Sequence, residues 1–96
     1  MLVLITYDVS TITKPGRRRL RRVAKACQDY GQRVQFSVFE CVVGDKEWVL
    51  LKDRLLKEID PTEDSLRFYF LNTVAVDKLE HHGCKKPRDL TEPLVF

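Results

Sequence analysis

The sequence predicts an α/β (α+β) fold in which two helices pack on one face of an antiparallel β-sheet. Three observations support this prediction. The chain has 96 residues and the mixed composition of an ordinary globular protein, which suits one small domain. Apolar residues alternate in several short segments and recur every three or four positions in two longer ones. Along the chain these segments follow the order β–α–β(β)–α–β–β.

The first segment, residues 2–9, is predicted to be a strand that is apolar on both faces. A strand of this kind needs cover on both sides. The run is too short to span a membrane and lacks the basic start of a signal peptide, so we expect no contact with a membrane. The two sets of side chains are Val3, Ile5 and Tyr7 on one side, and Leu2, Leu4 and Thr6 on the other.

The second segment is a helix over residues 15–30, which begins at a proline suited to the first turn and ends before Gly31. One face is apolar and the opposite face is cationic. The apolar stripe, which we expect to face the sheet, comprises Leu20, Val23, Ala24 and Cys27. The cationic face comprises Arg18, Arg21, Arg22 and Lys25, with Arg17 and Arg19 flanking the stripe.

Residues 33–43 are strand-like, but the alternation changes phase near Val38. This indicates either one strand bent at a β-bulge or two short strands joined by a tight turn. A second helix is predicted over residues 46–59, a further strand over residues 65–71, and a last short strand within residues 75–83. The buried stripe of the second helix is predicted to be Trp48, Leu51, Leu55, Leu56 and Ile59.

Right-handed crossovers place both helices on the same face of the sheet, which gives a ferredoxin-like βαββαβ sandwich over residues 1–83. The other face of the sheet would be open in a single chain. Because the first strand is apolar on that side too, we expect a second copy to cover it, so that the protein is a homodimer. Residues 84–96 are loop-like and end in an apolar tripeptide that we expect to dock on a surface.

Positive charge is concentrated around the first helix. Residues 14–33 contain eight basic residues and one acidic residue, whereas residues 40–64 contain eight acidic and four basic residues. A run of like charges destabilises a helix, which favours a phosphate-binding face over a merely solvated one. Such a face would contact nucleic-acid backbone with little sequence preference. Its candidate residues are Arg17, Arg18, Arg19, Arg21, Arg22 and Lys25, and Arg33, beyond the helix, is a further candidate contact to nucleic acid.

Asp8 stands where the first strand ends and a loop begins. Strand ends often carry ligand or metal sites, and aspartate is disfavoured inside strands. Asp8 is therefore a candidate Mg²⁺ ligand and catalytic residue, the alternative being a solvated strand end. Mg²⁺ usually takes one or two carboxylates together with substrate phosphates. Two Asp8 side chains facing each other in a dimer would supply two carboxylates to one metal, which could then activate water against a phosphodiester.

Other chemistry has weak support. The three cysteines have no metal-binding or disulfide spacing, which favours reduced thiols and a cytoplasmic location. His81 and His82 are adjacent, so on a strand they point to opposite faces and do not chelate one ion together. No serine protease triad, P-loop or dinucleotide-binding motif can be assembled.

Four motifs occur together in order: YDVS at 7–10, DYG at 29–31, RVQFSVFE at 33–40 and DSLRFYFL at 64–71. With them the chain resembles the family of CRISPR-associated protein two, the small partner of the integrase in spacer acquisition. The resemblance spans roughly residues 2–83, and Tyr7 belongs to its first motif. It implies a ferredoxin-like homodimer in which residues 84–96 add an edge strand to the partner's sheet.

Members of that family are described as metal-dependent endonucleases acting on single-stranded RNA or double-stranded DNA. The resemblance implies that Asp8 is the Mg²⁺ ligand, that Arg19 and Arg22 are the helix arginines of the family, and that Arg33 and Phe39 are its motif arginine and phenylalanine. It also implies that the dimer bridges the CRISPR-associated protein one integrase and holds the duplex to be inserted. A non-catalytic DNA-binding scaffold and a toxin-like RNA interferase of similar fold are the alternatives.

Overall fold

The structure, a computed structural model, describes residues 1–71 and 78–84. Within them, five strands form one antiparallel sheet in the order β2-β3-β1-β4-β5. Two helices cross between strands, as predicted for a ferredoxin-like sandwich. The elements are β1 (Leu2–Asp8), α1 (Lys14–Tyr30), β2 (Gln32–Gln35), β3 (Val38–Val42), α2 (Asp45–Glu58), β4 (Ser65–Phe70) and β5 (Lys78–Gly83).

The phase change near Val38 has a simple cause. The chain forms two short strands joined by a tight turn at residues 36–37, which was one of the two predicted alternatives. The register between the two strands also shifts between Arg33 and Gln35. A turn and an irregular pairing in the same hairpin together explain why alternate residues exchange faces along this segment.

The core lies between the sheet and the two helices. Val3 and Ile5 of β1 are fully buried there, as are Val23 and Cys27 of the predicted α1 stripe. The predicted α2 stripe also faces this core. Trp48 packs its ring edge-on against Phe68 and Phe70 of β4, with ring centroids 4.8 and 5.5 Å apart.

α1 ends at Gly31, whose N–H donates to the carbonyl of Cys27 at 2.9 Å. The predicted stop is correct, but the reason for glycine is not a left-handed backbone, since its φ is −160°. A Cβ atom at this position would lie 2.3 Å from the carbonyl oxygen of Glu40 and 2.5 Å from the sulfur of Cys41. Glycine therefore lets the end of the helix approach β3 closely.

The other face of the sheet is partly covered within one chain. The register places Val38 and Tyr69 on this face, and both are only 1% exposed. Leu2 and Leu4 are half-buried there and Val42, at the rim, is 76% exposed. The prediction of a fully open face was therefore too simple, although apolar side chains remain accessible on it.

Three further predictions concern the chain as a whole. No helix in the described ranges is long and apolar enough to cross a membrane. The thiols of Cys27, Cys41 and Cys84 are free, as predicted. The predicted tail over residues 84–96 lies outside the described residues apart from Cys84, as do residues 75–77 of the last predicted strand.

Candidate functional site at the end of the first strand

Asp8 is the last residue of β1, the central strand, and its side chain is exposed. On one side it pairs with Ser65 at the start of β4. On the other side the N–H of Tyr7 donates to the carbonyl of Ser37 at 3.1 Å, so the β2–β3 turn lies beside the same strand end. Asp8 therefore stands between two neighbouring segments at one edge of the core.

Asp64 supports this strand end from below the surface. Its side chain is fully buried and accepts hydrogen bonds from the backbone N–H groups of Ser10 at 3.0 Å and Asp60 at 2.9 Å. Its backbone carbonyl accepts from the N–H of Cys84 at 3.1 Å. One carboxylate thus ties the loop after Asp8 to the loop after α2, at the point where β5 ends.

Arg19 completes the network. Its Nε donates to Asp64 at 2.8 Å and its Nη2 contacts Glu63 at 3.2 Å. The hydrogen bond that Arg19 donates to Asp64 raises the pKa of Arg19 above its usual value, because it stabilises the charged guanidinium. The sequence predicted Arg19 as a phosphate contact, but the structure places it, with only 18% of its side chain exposed, in an internal ion pair.

The remaining cations of α1 differ in availability. Arg18 and Arg21 are exposed and have no ion-pair partner among the residues that the structure describes. Arg22 lies 3.8 Å from Glu58, and Lys25 pairs with Asp29 at 2.6 Å. Glu58 of α2 and Asp29 of α1 itself thus neutralise part of the cationic run of the first helix.

Arg17 borders the strand end more closely. Its Nη1 donates to the carbonyl of Thr11 at 3.1 Å, in the loop between Asp8 and the helix. Thr13 caps α1 by accepting from the N–H of Gly16, and the first turn contains no acidic residue. The N-terminal end of α1, which is the positive end of the helix dipole, therefore adjoins the loop that follows Asp8. The guanidinium of Arg17 contacts the same loop.

The motif residues Tyr7, Arg33 and Phe39 form a stack on the other flank. The rings of Tyr7 and Phe39 lie 6.2 Å apart in a stacked arrangement, and the guanidinium carbon of Arg33 lies 5.1 Å above the centre of Phe39. Burial raises the pKa of Tyr7, which is only 5% exposed. Tyr7 and Phe39 are thus buried supports, while Arg33 is exposed and held by a cation–π contact.

Asp8 is the residue here that could hold a metal ion. Its side chain is exposed at the strand end. Asp64 is fully buried, and both of its oxygens accept hydrogen bonds inside the protein. No group of three or more potential ligands occurs among the described residues. An exposed single carboxylate fits Mg²⁺, which keeps several waters and completes its shell with substrate phosphates, but does not fit an ion held in an all-protein cage.

The fold and this site define a class: small ferredoxin-like proteins with an exposed carboxylate at the end of the central strand and cations beside it. A family model described as CRISPR associated protein Cas2 matches residues 1–78. Because this match covers most of the chain, the chain belongs to that family. The resemblance found in the four sequence motifs is confirmed.

Individual relatives of the chain carry the same family name. The chain is 62% identical over 96 residues, covering 100% of both chains, to the CRISPR-associated endoribonuclease Cas2 of Chlorobaculum tepidum. It is 55% identical, again over 100% of both chains, to the CRISPR-associated endonuclease Cas2 of Halalkalibacterium halodurans. The crystal structure of Streptococcus pyogenes Cas2 at pH 6.5 is similar with a TM-score of 0.70 and 61% identity, over 75% of this chain and 87% of that chain. These names identify the family as one of nucleases.

Proposed function

We propose that this protein is an endonuclease of CRISPR immunity that cleaves phosphodiester bonds at Asp8 with the help of Mg²⁺. The observation that carries the proposal is the exposed Asp8 carboxylate at the end of β1, beside the cationic start of α1. The names of the relatives, endoribonuclease and endonuclease, support the same activity. RNA and DNA are both candidate substrates, since the name endoribonuclease specifies RNA and the name endonuclease leaves the nucleic acid open.

Different side chains bind the substrate and position the loop at the site. Arg18 and Arg21 contact phosphate oxygens, for which guanidinium groups are well shaped. Asp8 would hold the metal, and Asp64 fixes the loop that follows Asp8 by accepting from the N–H of Ser10. When bound, Mg²⁺ supplies Lewis-acid stabilisation of the charge that develops on the phosphate.

The active form is a homodimer that uses the face of the sheet away from the helices. Leu2, Leu4 and Val42 leave apolar surface accessible on that face, which a second copy would bury. Asp8 follows the same parity in β1 as Leu2 and Leu4, so dimerisation through this face brings a second Asp8 towards the first. Two carboxylates would match the ligand number that Mg²⁺ prefers.

The protein acts in the cytoplasm, in spacer acquisition, where the dimer also binds duplex backbone and bridges the CRISPR-associated protein one integrase. The unpaired thiols support a reducing compartment. This scaffold role rests on the arginine face and does not need Asp8, so it is the second candidate function if cleavage is absent. A toxin-like RNA interferase is the third, and it would arrest growth when the protein is expressed alone.

Cleavage of single-stranded RNA and double-stranded DNA by the wild type and Asp8→Asn, with Mg²⁺ and with EDTA, tests the enzymatic proposal. We expect the wild type to cleave in a Mg²⁺-dependent manner. Asp8→Asn with Mg²⁺ should cleave no more than the wild type does in EDTA. Asp45→Asn is the matched control, because it removes another exposed carboxylate far along the chain in α2. Cleavage that survives in Asp8→Asn refutes the role of Asp8.

Charge reversal tests the binding face. Arg18→Glu and Arg21→Glu should weaken DNA binding and reduce the slope of log K against log salt by about 0.9 for each lost phosphate contact. Lys46→Glu makes the same charge change at an exposed position in α2 and should leave the slope unchanged. Equal effects of all three variants would show that only net charge matters and that α1 is not the binding face.

A further inference from the structure

Phe36 is the most exposed large apolar side chain of the described residues. It lies in the turn between β2 and β3 and is 92% exposed. Burial of a phenylalanine side chain stabilises a protein, and Phe36 does not contribute this stabilisation in the described chain. A ring in this position is available for contact with another molecule.

The turn that carries Phe36 is attached to the Asp8 strand end. The phenol of Tyr7 donates to the carbonyl of Phe36 at 3.3 Å, and the N–H of Tyr7 donates to the carbonyl of Ser37 at 3.1 Å. Tyr7 directly precedes Asp8. On the other side of Asp8, the loop leading to α1 carries Ile12, which is 87% exposed. Among the residues that the structure describes, the two most exposed large apolar side chains thus belong to the two segments that border Asp8.

Cations accompany these apolar side chains. Arg17 contacts the loop that holds Ile12, and Arg33 is exposed on the same hairpin as Phe36. A ligand that is complementary to both the cations and the exposed apolar side chains has negative charges and flat, solvent-accessible apolar groups. A nucleotide strand with unpaired bases has both, whereas a duplex hides the faces of its bases by stacking them inside.

We propose that Phe36 stacks against an unpaired base of a strand whose phosphates contact Arg17 and Arg33 on the two segments that border Asp8, so that the site prefers single-stranded nucleic acid. The inference rests on the proposed function, because it places the substrate at Asp8. Stacking on an aromatic ring is tolerant of sequence, since every base has a flat face. Phe36 therefore selects the strandedness of the substrate and leaves its sequence free.

The test compares equilibrium binding of a single-stranded RNA containing 2-aminopurine and of a duplex of the same length, both in EDTA so that no cleavage occurs. Phe36→Ala should weaken single-strand binding about tenfold, equivalent to about 1.4 kcal/mol. It should change duplex binding less than about threefold, since the duplex offers no free base face. Phe36→Tyr retains a ring and should preserve both the affinity and the quenching of 2-aminopurine.

Two controls separate stacking from other effects. Phe36→Leu keeps an apolar side chain without the ring, so full affinity in this variant would overturn the stacking proposal. Val34→Ala trims another exposed apolar side chain of the same hairpin, 54% exposed, and should leave single-strand binding unchanged. A loss in Val34→Ala as large as that in Phe36→Ala would also overturn the proposal.

The remaining outcomes distinguish this inference from the proposed function. If the wild type binds single strands and Phe36→Ala binds them equally well, the stacking inference fails while the nuclease proposal stands. If the wild type binds neither substrate, the nucleic-acid function itself fails. Sedimentation is measured in parallel, because a smaller assembly in Phe36→Ala would show that a second copy of the chain covers the ring, which also overturns the inference.

Discussion

Replacing Asp64 by asparagine would remove a buried negative charge and keep the size of the side chain. In the wild type this carboxylate faces the N–H groups of Ser10 and Asp60 and the guanidinium of Arg19. Hydrogen bonds to a charged acceptor contribute about 1.5–3 kcal/mol each. The amide of asparagine can accept on one oxygen only, and its NH₂ group turns towards a donor that it cannot pair with.

Breaking a buried charge network of this kind costs about 3–5 kcal/mol. A protein of this size loses about 4–8 °C of melting temperature per kcal/mol, so we expect Asp64→Asn to melt at least about 12 °C below the wild type. Urea unfolding at a fixed protein concentration would measure the free energy directly. Trp48, the one tryptophan of the sequence and only 8% exposed, is the fluorescence probe.

Glu63→Gln is the matched control for Asp64→Asn. Glu63 pairs with the same arginine, but half of its side chain is exposed, and exposed pairs contribute about 0–1 kcal/mol. The reasoning is refuted if Asp64→Asn unfolds within about 1 kcal/mol of the wild type, or if Glu63→Gln is equally destabilised. Either result would mean that the network does not depend on the buried charge.

Two further predictions concern packing and thiol chemistry. Gly31→Ala should destabilise the fold by about 1–3 kcal/mol in urea, since its Cβ would meet a β3 carbonyl at 2.3 Å, whereas Gly44→Ala, whose nearest contact would be 3.4 Å, should cost less. Ellman's reagent should modify exposed Cys84 in the native protein but leave Cys27 and Cys41 unmodified until urea unfolds it. Burial raises the pKa of both internal thiols, that of Cys41 to about 11, so rapid native labelling of either would contradict their packing.

Local patterns predicted the elements of this fold well. The stripe around Val23 and Cys27 identified the buried face of α1, and the stripe around Leu51 and Leu55 identified that of α2. Each pattern repeats within a few residues and indicates only whether a position is exposed to solvent or buried. For the same reason, the hairpin at residues 32–42 stayed ambiguous, because a bulge and a tight turn shift the alternation in the same way.

The candidate site was predicted less completely, because its key contacts join distant parts of the chain. Asp64 and Arg19 are 45 positions apart, and each looks like a surface charge in its own neighbourhood. One signal could have found Asp64: it stands directly before the apolar strand β4, whose first residue pairs with Asp8. An acid so placed lies next to the end of the central strand once the strands align.

The two edges of the described sheet differ in their capacity to accept another strand. β2 has four residues, all exposed, and an irregular register that includes Arg33, which are features that discourage pairing. β5, at the opposite edge, keeps an unbroken six-residue register with β4. A further strand can therefore be added to the described sheet at the β5 edge but not at the β2 edge. Chains whose sheet can extend at one edge only join edge to edge in closed pairs, so the β2 edge keeps strand-to-strand pairing between copies from propagating into fibres.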